Sequence, residues 1–356
     1  MNTTRKPDFE RLKKVLLRQG EPDKVPFYEL FADTEIMEAV TGEPMVKYAQ
    51  TNTREAREKY LKAQIKFYYE LGYDYVYLGS PIGFELTKNI STEDTAELSR
   101  SQRGWVDEHH GIIENWQDLE KYRWPDVSQA SWIDAEFMAK NIPDGMKIIF
   151  CGPGGVLENV TFLTGFENLS LMLADDPELV KTISEKVGST LCKIFESAAN
   201  IKNLGALEVG DDMGFKTSTM ISPKAMREYI FPWEKKIVEV AHKNNFPFIL
   251  HACGQLKGIM DDLIDDVKID AKHSYEDIIT PVAEAKKIYG KRIAILGGVD
   301  MDYLCRHTEE EVRKYTRNIL EVCAPGGGYA LGTGNTVANY VPVKNYLAML
   351  DEGRKF

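Results

Sequence analysis

Apolar and polar positions follow two alternating rhythms along most of this chain. Short runs rich in Val, Ile, Tyr and Phe, several closed by Gly, have the length and composition of strands. They fall within the stretches 23–30, 74–79, 147–155, 206–214, 246–254, 267–274, 292–300 and 328–335. Amphipathic segments with helical spacing accompany them at 8–19, 53–71, 132–141, 158–172, 177–201, 223–243, 255–265, 280–289, 308–322 and 342–352. Asp176-Pro177 and Ser222-Pro223 mark two helix starts, each with an oxygen side chain at the N-cap and Pro at the first helical position. Strict alternation of strand and helix implies a parallel sheet, and eight such units close as a (β/α)8 barrel. The expectation is an α/β protein of TIM-barrel type. It carries extra N-terminal helices and an inserted lobe around 80–130, where the pattern is least regular. A doubly wound open sheet is the alternative. The whole chain, 1–356, reads as one domain.

Chemistry collects at the ends of these strands. The run Phe248-Ile249-Leu250 ends in His251-Ala252-Cys253-Gly254. Residues two apart on a strand share a face, so His251 and Cys253 stand side by side. Together they supply two of the three protein ligands of a catalytic zinc site. The plain alternative is that Cys253 is a small buried apolar residue. On the neighbouring strand, Glu208 and Asp212 face the lumen if Leu207 and Val209 pack outward, so either is a candidate third ligand; a lumenal ion pair or hydrogen-bond network is the other reading. Glu29, Asp211, His273, Asp300 and Asn335 also sit at C-terminal strand ends, where such barrels carry active sites. Glu29, Asp211 and His273 are the candidate catalytic groups. Gly152-Pro153-Gly154-Gly155 lacks the Lys-Ser/Thr of a phosphate loop and reads as room above a strand. His109-His110 could pair on a metal, but adjacent strand residues face opposite ways, so a solvated turn is expected.

Composition acts mainly by exclusion. At 356 residues the chain is long enough for a full barrel core, and its net charge of -11 argues against nucleic acid or an anionic membrane surface as partner. No stretch approaches the ~20 apolar residues of a spanning helix. Nothing at the N-terminus reads as a signal peptide, and the five scattered Cys fit no disulfide framework. A cytoplasmic protein is expected; whether it forms a homodimer is left open.

With these elements placed, the chain resembles the uroporphyrinogen decarboxylase superfamily over nearly its whole length. The resemblance is carried by Asp23-Lys24-Val25-Pro26, Gly152-Pro153-Gly154-Gly155, Asp211-Asp212-Met213-Gly214, Ile221-Ser222-Pro223, Phe231-Pro232 and His251-Ala252-Cys253-Gly254. Further matches are Gly297-Gly298-Val299-Asp300, Gly332-Thr333-Gly334-Asn335 and Val341-Pro342. The family fold is a (β/α)8 barrel. True decarboxylases of this superfamily bind a polycarboxylate tetrapyrrole with an Arg-rich segment after the first strand. Here that segment reads Tyr28-Glu29-Leu30-Phe31-Ala32-Asp33, without arginine, which argues against that substrate. The resemblance points instead to the zinc methyltransferases of corrinoid-dependent methyl transfer. In the coenzyme M members, zinc is held by a His-x-Cys and by a later Cys; His251 and Cys253 match the pair, and Thr333 stands where the later Cys would be. That departure implies a carboxylate ligand, Glu208 or Asp212, and an oxygen substrate. The resulting expectation is a methyltransferase that removes a methyl group from a small O-methyl compound, a methoxylated aromatic first among them. It passes the group to the Co(I) of a separate corrinoid protein, with zinc as Lewis acid and His273 as proton donor. Tyr28, Tyr77, Phe84 and Asn335 are the expected substrate contacts. The alternatives are a decarboxylase of a small carboxylic acid or porphyrin-like substrate, and a non-catalytic barrel that binds a corrinoid or tetrapyrrole.

Overall fold

The computed structural model describes residues 6–86, 89–100, 102–106 and 111–356. Among the described residues nine strands occur in chain order: β1 (Tyr75–Gly79), β2 (Asn89–Glu93), β3 (Gln102–Val106), β4 (Lys147–Cys151), β5 (Leu204–Gly210), β6 (Phe248–His251), β7 (Ala271–His273), β8 (Ala294–Leu296) and β9 (Tyr329–Ala330). Seven of them form one sheet in the order β1-β4-β5-β6-β7-β8-β9, and every neighbouring pair is parallel. Sheet order follows chain order, so each strand returns beside its predecessor, the winding of a TIM-like barrel.

The sheet curls until β9 approaches the first segment. Phe27 bridges Leu331 in parallel. The Tyr28 amide donates to the Leu331 carbonyl at 2.8 Å, and the Leu331 amide to the Pro26 carbonyl at 2.9 Å. The strand expected within 23–30 therefore shortens to a single bridge, since Pro26 has no amide to extend the ladder. On the other side of the seam the Tyr75 hydroxyl spans the gap to β1. It accepts from the Glu29 amide at 2.8 Å and donates to the Glu29 carbonyl at 2.5 Å.

Alternation along the strands sets two layers. Phe150 of β4 and Phe248 of β6 pack outward on Phe195 of the helix Pro177–Ala198, with ring centroids 5.8 and 6.0 Å apart. Their neighbours Cys151 and Ile249 thus point into the lumen. That helix starts as expected, with Pro177 in the first turn and the Asp176 side chain accepting from the Leu179 amide at 3.2 Å. The Arg54–Leu71 helix is capped by Thr53 and stops at Gly72 in the left-handed region.

Other elements depart from expectation. The helix foreseen at 158–172 is two, Val156–Thr164 and Phe166–Asp175, divided at Gly165 with φ 77°. The one foreseen at 223–243 contains a π-helical stretch, Met226–Ile230, just before Phe231–Lys243, where Pro232 has no amide to give. The segment 255–265 starts in a turn at 257–259 and is helical only from Met260, passing into a π-helix at Asp262–Val267. The lobe around 80–130 holds the antiparallel pair β2–β3 and a short helix, Trp116–Lys121; His109-His110 lie outside the described residues. Among the described residues no helix is long and apolar enough to cross a membrane.

Candidate metal centre

Three ligating side chains meet where β5 and β6 end. The ladder continues past both strands, because the Asp211 amide donates to the His251 carbonyl at 2.8 Å and the Ala252 amide to the His273 carbonyl at 2.8 Å. The loops beyond then touch at Gly214 and Gly254. Gly254 has φ 88°, and a Cβ there would lie 2.0 Å from the Gly214 carbonyl oxygen. This approach brings Asp212 under the Cys253 amide, which donates to Asp212 Oδ1 at 2.8 Å. The same oxygen is 3.7 Å from His251 Nε2, and Cys253 Sγ is 3.4 Å from that nitrogen. The ligating atoms of Asp212, His251 and Cys253 all lie within 4.8 Å of one another. A tetrahedron of ~2.0–2.3 Å bonds places its ligands roughly 3.3–3.8 Å apart; both distances from His251 Nε2 fall in that range and the whole set is somewhat wider, so the donor set is compatible with a zinc ion.

The protonation of His251 follows from its neighbours. His273 Nε2 lies 2.9 Å from the Thr333 carbonyl, which can only accept, so Nε2 carries a proton. His273 Nδ1 lies 2.8 Å from His251 Nδ1. Burial holds both rings far below the usual histidine range, His251 to about 3, with Lys272 adding to its shift, so both are neutral near pH 7. His273 Nδ1 then accepts and His251 Nδ1 donates. His251 Nε2 is left with its lone pair toward Cys253 and Asp212, the tautomer a metal requires. Burial, then Asp212, pushes the Cys253 thiol well up. Asn335 Nδ2 donates to the sulfur at 3.4 Å, and Ser274 Oγ stands 3.7 Å from it.

The other residues expected at the site separate into two groups. Tyr77, Asn335, Asp212 and His251 line a mouth cavity of about 290 Å³, with Phe31, Cys151 and Glu158 as further walls. The rings of Phe31 and Tyr77 lie 5.7 Å apart. The rest are elsewhere. Asp211 points away from the lumen: its carboxylate accepts from the Leu157 and Glu158 amides at 3.1 and 2.7 Å and so caps the Val156–Thr164 helix. Beside it, Glu234 accepts from the Val156 amide at 3.1 Å, and burial, then Glu234, raises Asp211 well above the carboxylate range. Glu208 is taken by the Tyr28 hydroxyl rather than by the ligand cluster, and both side chains are buried. Glu29 accepts from the Thr333 amide at 3.1 Å and from its hydroxyl, behind His273 rather than beside the metal position. Phe84 packs on Trp124, 6.2 Å between centroids. His273 has both nitrogens engaged and orients His251. Burial raises Glu29 and Glu208 to about 8 each.

Sequence reasoning passed over Phe31, Ser274 and Lys272. Lys272 lies on the face of β7 opposite His273, 4% exposed, and donates to the Ala252 and Ser274 carbonyls at 3.1 and 2.6 Å. A lysine between Ala271 and His273 in the middle of the strand was the available signal.

The family model described as uroporphyrinogen decarboxylase matches residues 110–356. A solved methyltransferase from Methanosarcina mazei superposes with a TM-score of 0.74 at 16% identity, covering 99% of each chain. A Listeria monocytogenes protein described as a vitamin-B12-independent methionine synthase superposes with a TM-score of 0.51 at 12% identity, covering 94% of this chain and 97% of its own. At these identities the likeness is one of fold. No curated protein matches the sequence.

Proposed function

The chain belongs to the uroporphyrinogen decarboxylase family, and we propose that within it this protein is a methyltransferase acting on a small O-methyl substrate, with a methoxylated aromatic the best fit. The methyl acceptor is the Co(I) of a separate corrinoid protein reaching the barrel mouth. The observation that carries this reading is the Asp212–His251–Cys253 donor set at a mouth cavity whose wall includes the Phe31–Tyr77 ring pair. A methyl ether is a poor electrophile because alkoxide or phenolate leaves badly. Zinc, when bound to the three side chains, supplies the Lewis acidity that stabilises charge on the departing oxygen.

The chain's own residues do the rest. His251, Cys253 and Asp212 hold the ion. His273, fixed by the Thr333 carbonyl, keeps the ligand tautomer of His251. Asn335 donates to the sulfur and lines the cavity. Phe31 and Tyr77 offer flat apolar surface to an aryl ring. Thr333 stands where the resemblance to coenzyme M enzymes would put a third thiolate; its hydroxyl turns to Glu29, and Asp212 supplies the third ligand from another strand. The acidic side chains lining the cavity are Asp212 and Glu158, with neutral His251 beside them. An acidic lining disfavours the rival reading, decarboxylation of a carboxylate substrate.

Metal analysis by mass spectrometry on the protein and on Cys253→Ser tests the site, and methylation of cob(I)alamin by uncharged methoxylated aromatics (anisole and methoxyphenols) tests the reaction. We expect about one zinc per chain, lost in the variant, and methyl transfer that requires it. Protein that neither retains nor takes up zinc would sink the mechanism, and zinc-loaded protein that transfers no methyl group from any methoxy compound would sink the substrate class.

A further inference from the structure

Lys272 has no place in the reaction as drawn above, yet its position is costly. An ammonium this deeply buried is stable only where something compensates its lost hydration. Here the compensation is main chain. Its two hydrogen bonds go to carbonyls, Ala252 at 3.1 Å and Ser274 at 2.6 Å. Its charge sits over the Tyr275 ring, 4.3 Å from the centroid. The two carbonyls are not arbitrary. Ala252 directly precedes Cys253, and the hydroxyl of Ser274 is 3.7 Å from the Cys253 sulfur. One ammonium therefore ties together the two strand ends that bracket the thiol. Lys272 also lines a second cavity, of about 270 Å³, together with Gly254, Ser274 and Tyr275. Gly254, which follows Cys253, and Ser274, beside its sulfur, both border this cavity.

We propose that Lys272 is a positioning residue for the metal-binding thiol: by clamping the Ala252 and Ser274 carbonyls it fixes the β6 and β7 ends, and it keeps a positive charge behind the Cys253 sulfur. The proposal rests on the metal-site reading above. Interactions of this kind, outside the ligand shell, are worth ~10–100-fold in metal affinity.

The test is zinc affinity by competition with a chromophoric chelator, on the full chain and on Lys272→Met and Lys272→Arg. Methionine has nearly the length of lysine and faces a cavity, so Lys272→Met removes charge and donors with little change of volume. Cobalt substitution reports on the sulfur directly through the thiolate-to-cobalt charge-transfer absorption. We expect Lys272→Met to bind zinc ~10–100-fold more weakly and to lose much of that absorption per bound cobalt. Lys272→Arg, which keeps the charge and donors, is expected to recover part of both, and Tyr275→Phe to leave both unchanged. Unchanged affinity and absorption in folded Lys272→Met would overturn the clamp while leaving the metal site standing. If Lys272→Met does not fold, Lys272→Gln, which keeps a donor but not the charge, takes its place; weakened zinc binding and lost absorption in it support the clamp, and wild-type values of both overturn it. A wild-type chain that binds no zinc overturns the metal-site reading itself.

Discussion

At the residue scale the site depends on one tautomer. Thr333 offers only a carbonyl, so the proton on His273 is fixed, and with it the lone pair of His251. His273→Ala frees His251 to turn or to protonate at either nitrogen. The expected cost is ~10–100-fold in zinc affinity, with little change in far-ultraviolet circular dichroism. An unchanged affinity would show that His251 is held by something other than His273. Much of this site was legible in the sequence, because strand alternation alone places His251 with Cys253 and separates Asp212 from Asp211. What alternation cannot supply is a partner across the barrel. Glu208 was a reasonable third ligand until Tyr28, 180 positions away in the chain, took its carboxylate. The same holds for Glu29, which the long return from Thr333 holds behind His273. Local pattern says which way a side chain points; it does not say what already waits there.

At the element scale, Asp211 shows how a motif residue can serve the fold rather than the chemistry. Gly155, the N-cap of the Val156–Thr164 helix, has no side chain to give. A Cβ there would fall 2.1 Å from the Cβ of Asp211. The missing side chain makes room for the Asp211 carboxylate, which caps the helix from β5 instead. Asp211→Ala removes the acceptor for two helix amides and is expected to cost about 2–4 kcal/mol in urea unfolding, while zinc content stays at the wild-type level. A stable variant that loses its zinc would return Asp211 to the site. Elements with strong local signals were legible: Arg54–Leu71 and Pro177–Ala198 begin and end close to where caps and periodicity put them. Short helices such as Thr34–Thr41 and Met301–Arg306 were missed, although Asp300 caps the second through the Tyr303 amide at 3.0 Å. Six to eight residues make too few turns for apolar periodicity to stand out, and packing on the barrel decides them.

At the scale of the whole molecule, the barrel buries several carboxyls, and that gives the fold a pH dependence of predictable sign. Glu29 and Glu208 are raised by burial from an ordinary 4.5 to about 8. Between these values the folded chain keeps two protons that the unfolded chain has lost, so folding weakens as pH rises. His251 and His273 act the other way, but only below their ordinary 6.5, where the unfolded rings take up protons that the folded ones refuse. From pH 4.5 to 6.5 the two pairs largely cancel. From 6.5 to 8 the carboxyls act unopposed, each contributing a fall of up to ~1.4 kcal/mol per pH unit. The Asp211–Glu234 pair, also raised by burial, adds in the same direction. Thermal and urea unfolding of the metal-free protein should therefore show stability falling as pH rises, more steeply between about pH 6.5 and 8 than below. Glu208→Gln keeps an acceptor for Tyr28 and Glu29→Gln keeps one for Thr333, so each should remove a share of the slope without emptying the lumen. A double variant with the wild-type slope would show that these two carboxyls are ionised in the folded barrel and that the lumen is wetter than its packing indicates.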